Sequence, residues 1–298
     1  MVAPLPDPPE LPRRVAFLGT PEIAVPCLRA LASSDIEVAL VVSRADKRRG
    51  RRSEPTPSPV KAVALELGLP VTARLDDVVD AGIELGVVVA YGRIVPRSVL
   101  EAVPMINLHF SLLPRWRGAA PVERAILAGD RETGVCLMGL EEGLDTGPVY
   151  RRSTRPIGPF TTSAGLAEAL AADAAELLVD GLTDGLRDPE PQDGPVTYAE
   201  KLDAGDRHLD WSEPAEQLDR VVRIGGAWTS FRGKRLKVHA ARPVEGSGPE
   251  LGHLEGVRVG TGDGVLELVD VQPEGKGRMP AAAWRNGAQP GADERLGE

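Results

Sequence analysis

The 298-residue chain is 42% hydrophobic and 27% charged, an ordinary globular composition with length enough for two cores. Its net charge of −9 confines any nucleic-acid contact to a face on which basic residues are gathered. Two distant cysteines, four histidines without metal spacing and the lack of any apolar run near ~18–20 residues argue against a disulfide framework, a structural metal and a membrane helix.

Residues 1–12 hold Pro4, Pro6, Pro8, Pro9 and Pro12 and no charged start followed by an apolar stretch. They read as a disordered leader and not as a signal peptide, which predicts a cytoplasmic protein. Residues 13–19 (RRVAFLG) predict a buried strand and residues 22–33 a helix entered through Pro21, with Ile23, Cys27, Leu28 and Leu31 at helical spacing. Residues 36–42 (IEVALVV) complete a βαβ unit.

A short helix at 61–67 and a strand at 71–72 follow. Residues 85–91 (LGVVVAY) are apolar without alternation, as in a central parallel strand covered on both faces. Helical turns at 96–102, a strand at 105–109, a helix at 122–128 and a strand at 135–140 extend the alternation. The fold class is α/β, a doubly wound parallel sheet. Residues 162–182 predict a longer helix with Leu166, Leu170, Ala174, Leu178 and Leu182 down one face.

Residues 187–195 (RDPEPQDGP) have linker composition. We divide the chain into a leader at 1–12, a catalytic domain at 13–186, a linker at 187–208 and a C-terminal domain at 209–298. The last contains a helix near 214–223 and short strands at 236–240, 257–259 and 265–271 with Gly-rich turns, the rhythm of a small β-barrel. The turn Gly260–Gly264 (GTGDG) precedes a strand-like run and not a helix, so it reads as a hairpin turn and not as a nucleotide loop.

Asn107 and His109, two apart on one strand, point to the same side near its C-terminal end, where open α/β sheets bind ligands. An amide donor and an imidazole there suit stabilisation of an oxyanion and transfer of a proton. Asp145, in the loop Gly143–Gly147 (GLDTG), can hold His109 if the two preceding strands are neighbours. On pattern alone a lone Asn-x-His pair is more often structural. Ser111 invites a Ser–His–Asp hydrolase, but the nucleophile-elbow context is missing.

Residues 43–52 (SRADKRRGRR) are basic: Arg44, Lys47, Arg48, Arg49, Arg51 and Arg52. They form either a solvated loop or one that grips phosphates and orders on binding. A looser basic group, Arg232, Lys234, Arg235, Lys237 and Arg242, lies in the C-terminal part.

From Arg13 onward the chain resembles the methionyl-tRNA formyltransferase family. The resemblance rests on LGTPE at 18–22, PSPVK at 57–61, VVVAYG at 87–92, NLHFSLLPRWRGAAP at 107–121 and GLDTG at 143–147. VTYAEK at 196–201, Asp210-Trp211, GTGDG at 260–264 and QPEG at 272–275 continue it in the family's order.

The resemblance implies a Rossmann-like catalytic domain followed by an OB-like C-terminal β-barrel domain that binds tRNA. It implies 10-formyltetrahydrofolate as formyl donor and the methionine amine of initiator methionyl-tRNA as acceptor. By position, Asn107, His109 and Asp145 are the expected catalytic trio; Ser111, Leu112, Leu113 and Pro114 the wall of the reduced-folate site; and residues 44–52 the tRNA clamp. No metal is implied, and a monomer is expected. The pattern departs from the family at Lys47, where an arginine is usual, at Phe110, which replaces a glycine of some relatives, and at 224–230 (IGGAWTS). Rival readings are a formyltransferase acting on an amino sugar or ribonucleotide, a formyl-folate hydrolase, and a non-catalytic RNA-binding protein.

Overall fold

The computed structural model describes residues 5–48, 54–291 and 293–298. The chain divides into two compact units, one of residues 1–122, 132–156 and 167–200, the other of residues 123–131, 157–166 and 201–298.

The elements of the first unit, in chain order, are β1 (Arg14–Gly19), α1 (Val25–Ala32), β2 (Glu37–Val42), β3 (Lys47–Arg48), β4 (Pro55–Thr56), α2 (Pro59–Glu66), β5 (Val71–Thr72), α3 (Asp77–Asp80), β6 (Leu85–Val89), α4 (Arg97–Ala102), β7 (Met105–His109), β8 (Arg117–Gly118), α5 (Pro121–Ala128), β9 (Glu132–Gly139), β10 (Val149–Pro156), α6 (Ser163–Asp184) and β11 (Tyr198–Ala199). The units divide α5 and α6 between them.

Seven strands form one sheet in the order β10-β9-β7-β6-β1-β2-β5. From β5 to β7 all pairs are parallel; β9 and β10 add an antiparallel edge. Apolar side chains cover both faces: Ala16, Leu18, Leu40, Val42 and Val88 pack with Val78 of α3 and with Val99 and Leu100 of α4, while Val15, Phe17, Val87 and Val89 are fully buried on the other side. Ser58 caps α2 by accepting the Lys61 main-chain N–H, with Pro59 as the first helical residue. The predicted stripe of α6 is buried throughout, from Leu166 to Leu182.

One element is unmarked in the sequence and one expectation changes. The strand β10 reads VYRRSTRP, too charged for an apolar pattern, and is an edge strand whose Arg151, Arg152 and Arg155 pair with Asp184, Glu190 and Asp173. The described part of the leader is packed: Leu5 lies against the cluster containing Leu100 and Met105, and the Glu10 carbonyl accepts the Leu186 N–H at 2.9 Å. Apolar and main-chain contacts outweigh the disorder that its prolines suggest.

The second unit adds α7 (Ala215–Arg223), β12 (Trp228–Phe231), β13 (Lys234–Val244), β14 (Leu254–Glu255), β15 (Arg258–Gly260), β16 (Val265–Pro273), β17 (Met279–Pro280) and α8 (Ala281–Ala288). Its sheet is antiparallel, in the order β12-β13-β16-β15-β14, with β17 also on β16. Leu218 and Val222 of α7 and Trp284 of α8 share one buried cluster with Phe231, Leu236, Val238, Leu266 and Leu268. The GTGDG segment is the turn between β15 and β16, as its following strand requires. The sequence signal had not marked β12, WTSF, which spans only four residues, or α8, AAAWRNGA, in which Trp284 is the one large apolar side chain.

Candidate active site

The register of β7 decides where its polar residues go. Asn107 pairs with Val88, so it and His109 lie on the sheet side that carries Leu18. Both are buried, at 9% and 5% exposure.

Beyond His109 the chain makes a tight turn. The Ser111 hydroxyl donates to the Arg115 carbonyl at 2.6 Å, and the Leu113–Pro114 peptide is cis. Trp116 has a φ of +62°, which aims its carbonyl back at His109 Nε2, 2.8 Å away. A carbonyl only accepts, so Nε2 carries the hydrogen and Nδ1 is left facing the other way. There it meets Asp145 Oδ2 at 3.6 Å.

Asp145 arrives from a loop that leaves β9. The pairing of β9 with β7 is antiparallel, with Gly139 opposite Ile106, so the chain must return before Asp145 reaches His109. That return is tight. The Gly139 N–H donates to the Pro148 carbonyl at 2.9 Å, and a Cβ on Gly147 would stand 2.0 Å from the Gly139 carbonyl oxygen. Asp145 itself has a φ of +51°, the left-handed region that Asp tolerates better than most residues. Its Oδ2 also accepts the Gly118 main-chain N–H at 2.8 Å.

Asn107, His109 and Asp145 line a cavity of about 620 Å³. Its other walls are the segments 90–95 and 140–144, together with Phe110, Gly118 and Ala119. Thr20, in the turn after β1, donates to the Tyr91 carbonyl at 3.2 Å and anchors the first of these segments. Two apolar side chains stand at the cavity uncovered, Ile94 at 92% exposure and Leu144 at 59%. Solvated apolar groups beside a concave site are poised to cover a flat apolar ligand.

Ser111, Leu112, Leu113 and Pro114 are not among the residues that line this cavity. The Ser111 hydroxyl is used by its own turn, and Leu113 packs with Cys136, Met138 and Val149. The lining of this cavity comes instead from the 90–95 and 140–144 segments. Those segments carried a sequence signal only in the VVVAYG and GLDTG matches; no periodicity marks them. Gly118, Trp116 and Gln192 were also missed, since each acts through its main chain or from a segment that reads as linker.

Both cysteines are buried, and burial pushes the Cys27 thiol up to about 12 and raises that of Cys136. Neither is a nucleophile at neutral pH. Among the described residues no group of His, Cys, Asp and Glu is placed to hold a metal ion.

The basic loop is tied at its base. Ser43 and Ser58 hydroxyls meet at 2.6 Å, Asp46 pairs with Lys61 at 2.7 Å, and Lys47 and Arg48 pair with Thr56 and Pro55 as a short ribbon. Among the described residues Arg44, Lys47 and Arg48 form no ion pair. Arg49, Arg51 and Arg52 lie outside the described residues.

In the second unit, carboxylates sort the basic group. Arg232 pairs with Glu294 and Arg242 with Glu267, whereas among the described residues no carboxylate pairs with the side chains of Lys234, Arg235 or Lys237; Glu274 accepts only the Arg235 main-chain N–H, at 3.1 Å. The Arg235 guanidinium lies over the Trp228 indole, 4.1 Å from its centroid.

The chain matches the formyl transferase family at residues 13–182 and the formyl transferase C-terminal domain at residues 201–289. It is 46% identical to a methionyl-tRNA formyltransferase of Roseobacter denitrificans, over 92% of this chain and 96% of that one. It is 45% identical to one of Clavibacter sepedonicus, over 92% and 97%. Among solved structures it resembles an N-formyltransferase of Helicobacter canadensis in complex with folinic acid and dTDP-3-aminofucose, at TM-score 0.65, 17% identity, 85% of this chain and 98% of that one. It also resembles HypX of Aquifex aeolicus in complex with tetrahydrofolic acid, at TM-score 0.63 and 18% identity, over 94% of this chain and 48% of that longer one.

Proposed function

The chain belongs to the formyl transferase family, and on that premise we propose that it moves a formyl group from 10-formyltetrahydrofolate to the methionine amine of initiator methionyl-tRNA, with Asn107, His109 and Asp145 as its catalytic groups. The observation that carries the reading is the meeting of these three side chains, two from one strand and the third from a loop, at the wall of one cavity.

The cavity suits the folate. Its volume falls in the range of small-molecule sites, and its lining joins apolar side chains to main-chain groups able to pair with a flat heteroaromatic edge. Bound there, the folate supplies an electrophilic formyl carbon. The Asn107 amide donates to the formyl oxygen as it gains charge, an interaction worth about 3–4 kcal/mol. His109 Nε2 stays on the Trp116 carbonyl, so Nδ1 is the nitrogen that takes the proton from the attacking amine and returns it to the departing folate nitrogen. Asp145 Oδ2, 3.6 Å from Nδ1, holds the ring from that side and stabilises the positive charge when Nδ1 takes the proton. No covalent enzyme intermediate is required, in keeping with two buried thiols and a Ser111 hydroxyl already engaged.

The tRNA is held by charge. Arg44, Lys47 and Arg48, together with Arg49, Arg51 and Arg52, grip phosphates from the first unit; Lys234, Arg235 and Lys237 do so from the second. The protein works as a monomer in the cytoplasm; among the described residues no helix is long and apolar enough to cross a membrane.

Transfer of labelled formyl from 10-formyltetrahydrofolate to charged initiator tRNA tests the reading, with charged elongator tRNA and a nucleotide-linked amino sugar in parallel. Transfer to the initiator alone is expected. Transfer to the sugar, or to neither tRNA by folded protein, overturns the assignment of the acceptor.

A further inference from the structure

His109 is held at both ring nitrogens by groups from two different segments. The Trp116 carbonyl, at Nε2, belongs to the segment 116–118; the Asp145 carboxylate, at Nδ1, belongs to the loop 143–147. The imidazole keeps its aim only if these segments keep their spacing. The Gly118 N–H on Asp145 Oδ2 is one tie between them. The second is the side chain of Gln192.

Gln192 Nε2 donates to the carbonyls of Asp145 and Gly147, each at 2.8 Å. Its Oε1 accepts from Arg117 Nε at 3.0 Å and from Arg117 Nη2 at 2.6 Å. The orientation of the amide is unambiguous: a guanidinium only donates and a carbonyl only accepts, so the flipped amide would satisfy none of these partners. Gln192 itself is seated on both sides. Glu190 exchanges two main-chain hydrogen bonds with Val149, at 2.8 and 2.9 Å. On the other side, Thr197 accepts the Arg117 N–H on its carbonyl and the Trp116 N–H on its hydroxyl, both at 2.9 Å.

We infer that Gln192 is a positioning residue for the formyl transfer: its amide bridges the two segments that hold His109, and it sets the main chain of Asp145. The side chain touches neither His109 nor the cavity; it acts through the Asp145 backbone. Asp145 needs such support because its left-handed φ does not by itself hold the carboxylate in place. The inference rests on the reading of Asp145 as a catalytic group.

Two variants test it. Gln192→Ala removes both ties, whereas Gln192→Glu keeps the acceptor for Arg117 but turns a carboxylate toward two carbonyls. Both are expected to lower kcat by about 10- to 100-fold. The KM for the formyl donor and the Kd for tRNA should stay within about twofold, since such loosening acts on the reacting geometry and not on binding. In an Asp145→Asn background, Gln192→Ala is expected to lower kcat by less than about threefold, because coupled groups are non-additive.

Equal losses in kcat and in donor affinity, or a kcat within about twofold of wild type in both variants, overturn the inference. If Asp145→Asn alone turns over normally, the catalytic reading fails instead. A slow Asp145→Asn beside a normal Gln192→Ala sinks only the role of Gln192. Should Gln192→Ala fold poorly, the kcat of Gln192→Glu decides.

Discussion

Asp145 Oδ2 lies 3.6 Å from His109 Nδ1 while accepting the Gly118 N–H at 2.8 Å, so one carboxylate oxygen ties the imidazole to a fixed main-chain donor. Removing either partner should stop the chemistry without loosening the RNA. His109→Ala and Asp145→Ala are expected to lower kcat by about 10²- to 10⁴-fold. Steady-state kinetics beside a tRNA titration checks this; turnover near wild type in either variant removes that residue from the mechanism.

Gly147→Ala probes the loop without touching a polar group. The new Cβ would stand 2.0 Å from the Gly139 carbonyl oxygen, which is backbone and cannot swing aside. We expect a loss of about 1–3 kcal/mol in stability from overpacking, with a fall in kcat as Asp145 is displaced. Thermal unfolding and kinetics on one preparation suffice; an unchanged Tm would mean that the loop relaxes freely.

The basic residues of the second unit should separate by their partners. Neutralising Lys234, Arg235 and Lys237 together is expected to weaken tRNA binding and to flatten the slope of log affinity against log salt by about 0.7–0.9 for each phosphate that no longer meets a cation. Arg242→Ala, whose guanidinium is already taken by Glu267, should leave the slope unchanged. A filter-binding series across salt concentrations distinguishes the two, and equal slopes for all variants would remove the β13 cations from the interface.

Glu294 gives a pH dependence. Hydrogen bonding from Arg232, then from the Gly291 N–H, lowers its carboxyl from 4.5 to about 2. A depressed folded-state value means that the contribution is present above pH ~4.5 and fades as pH falls toward 2. The Glu294 side chain is about one third open to solvent, at 35% exposure, so the effect is screened and small. The Tm of Glu294→Gln should lie below wild type at pH 7 and approach it near pH 2; a gap that widens on acidification contradicts this.

Much of the fold was readable because its signals are local. Runs such as LGVVV in β6 can only be strands buried on both faces, and Leu166 to Leu182 recur at a spacing that only a helix brings to one side. Elements governed by charge or by their neighbours escaped. The arginines of β10 sit on an edge strand beside carboxylates of α6 and of the following segment, and the leader's prolines gave no hint that Leu5 is packed.

The site divides the same way. Asn107 and His109 share a side because strand geometry is fixed at the scale of two residues, and the glycines of GLDTG announce a tight return. Nothing local says that this return ends at His109, or that Gln192, 47 positions from Asp145 and 75 from Arg117, spans the two segments. Nor does sequence sort Arg232 and Arg242, bound to carboxylates, from Arg235, stacked on Trp228. The sequence by itself determined which side chains are available and which way each faces along its own strand or helix. Only the tertiary structure decided which donor meets which acceptor, because those distances close when chain segments far apart are packed together.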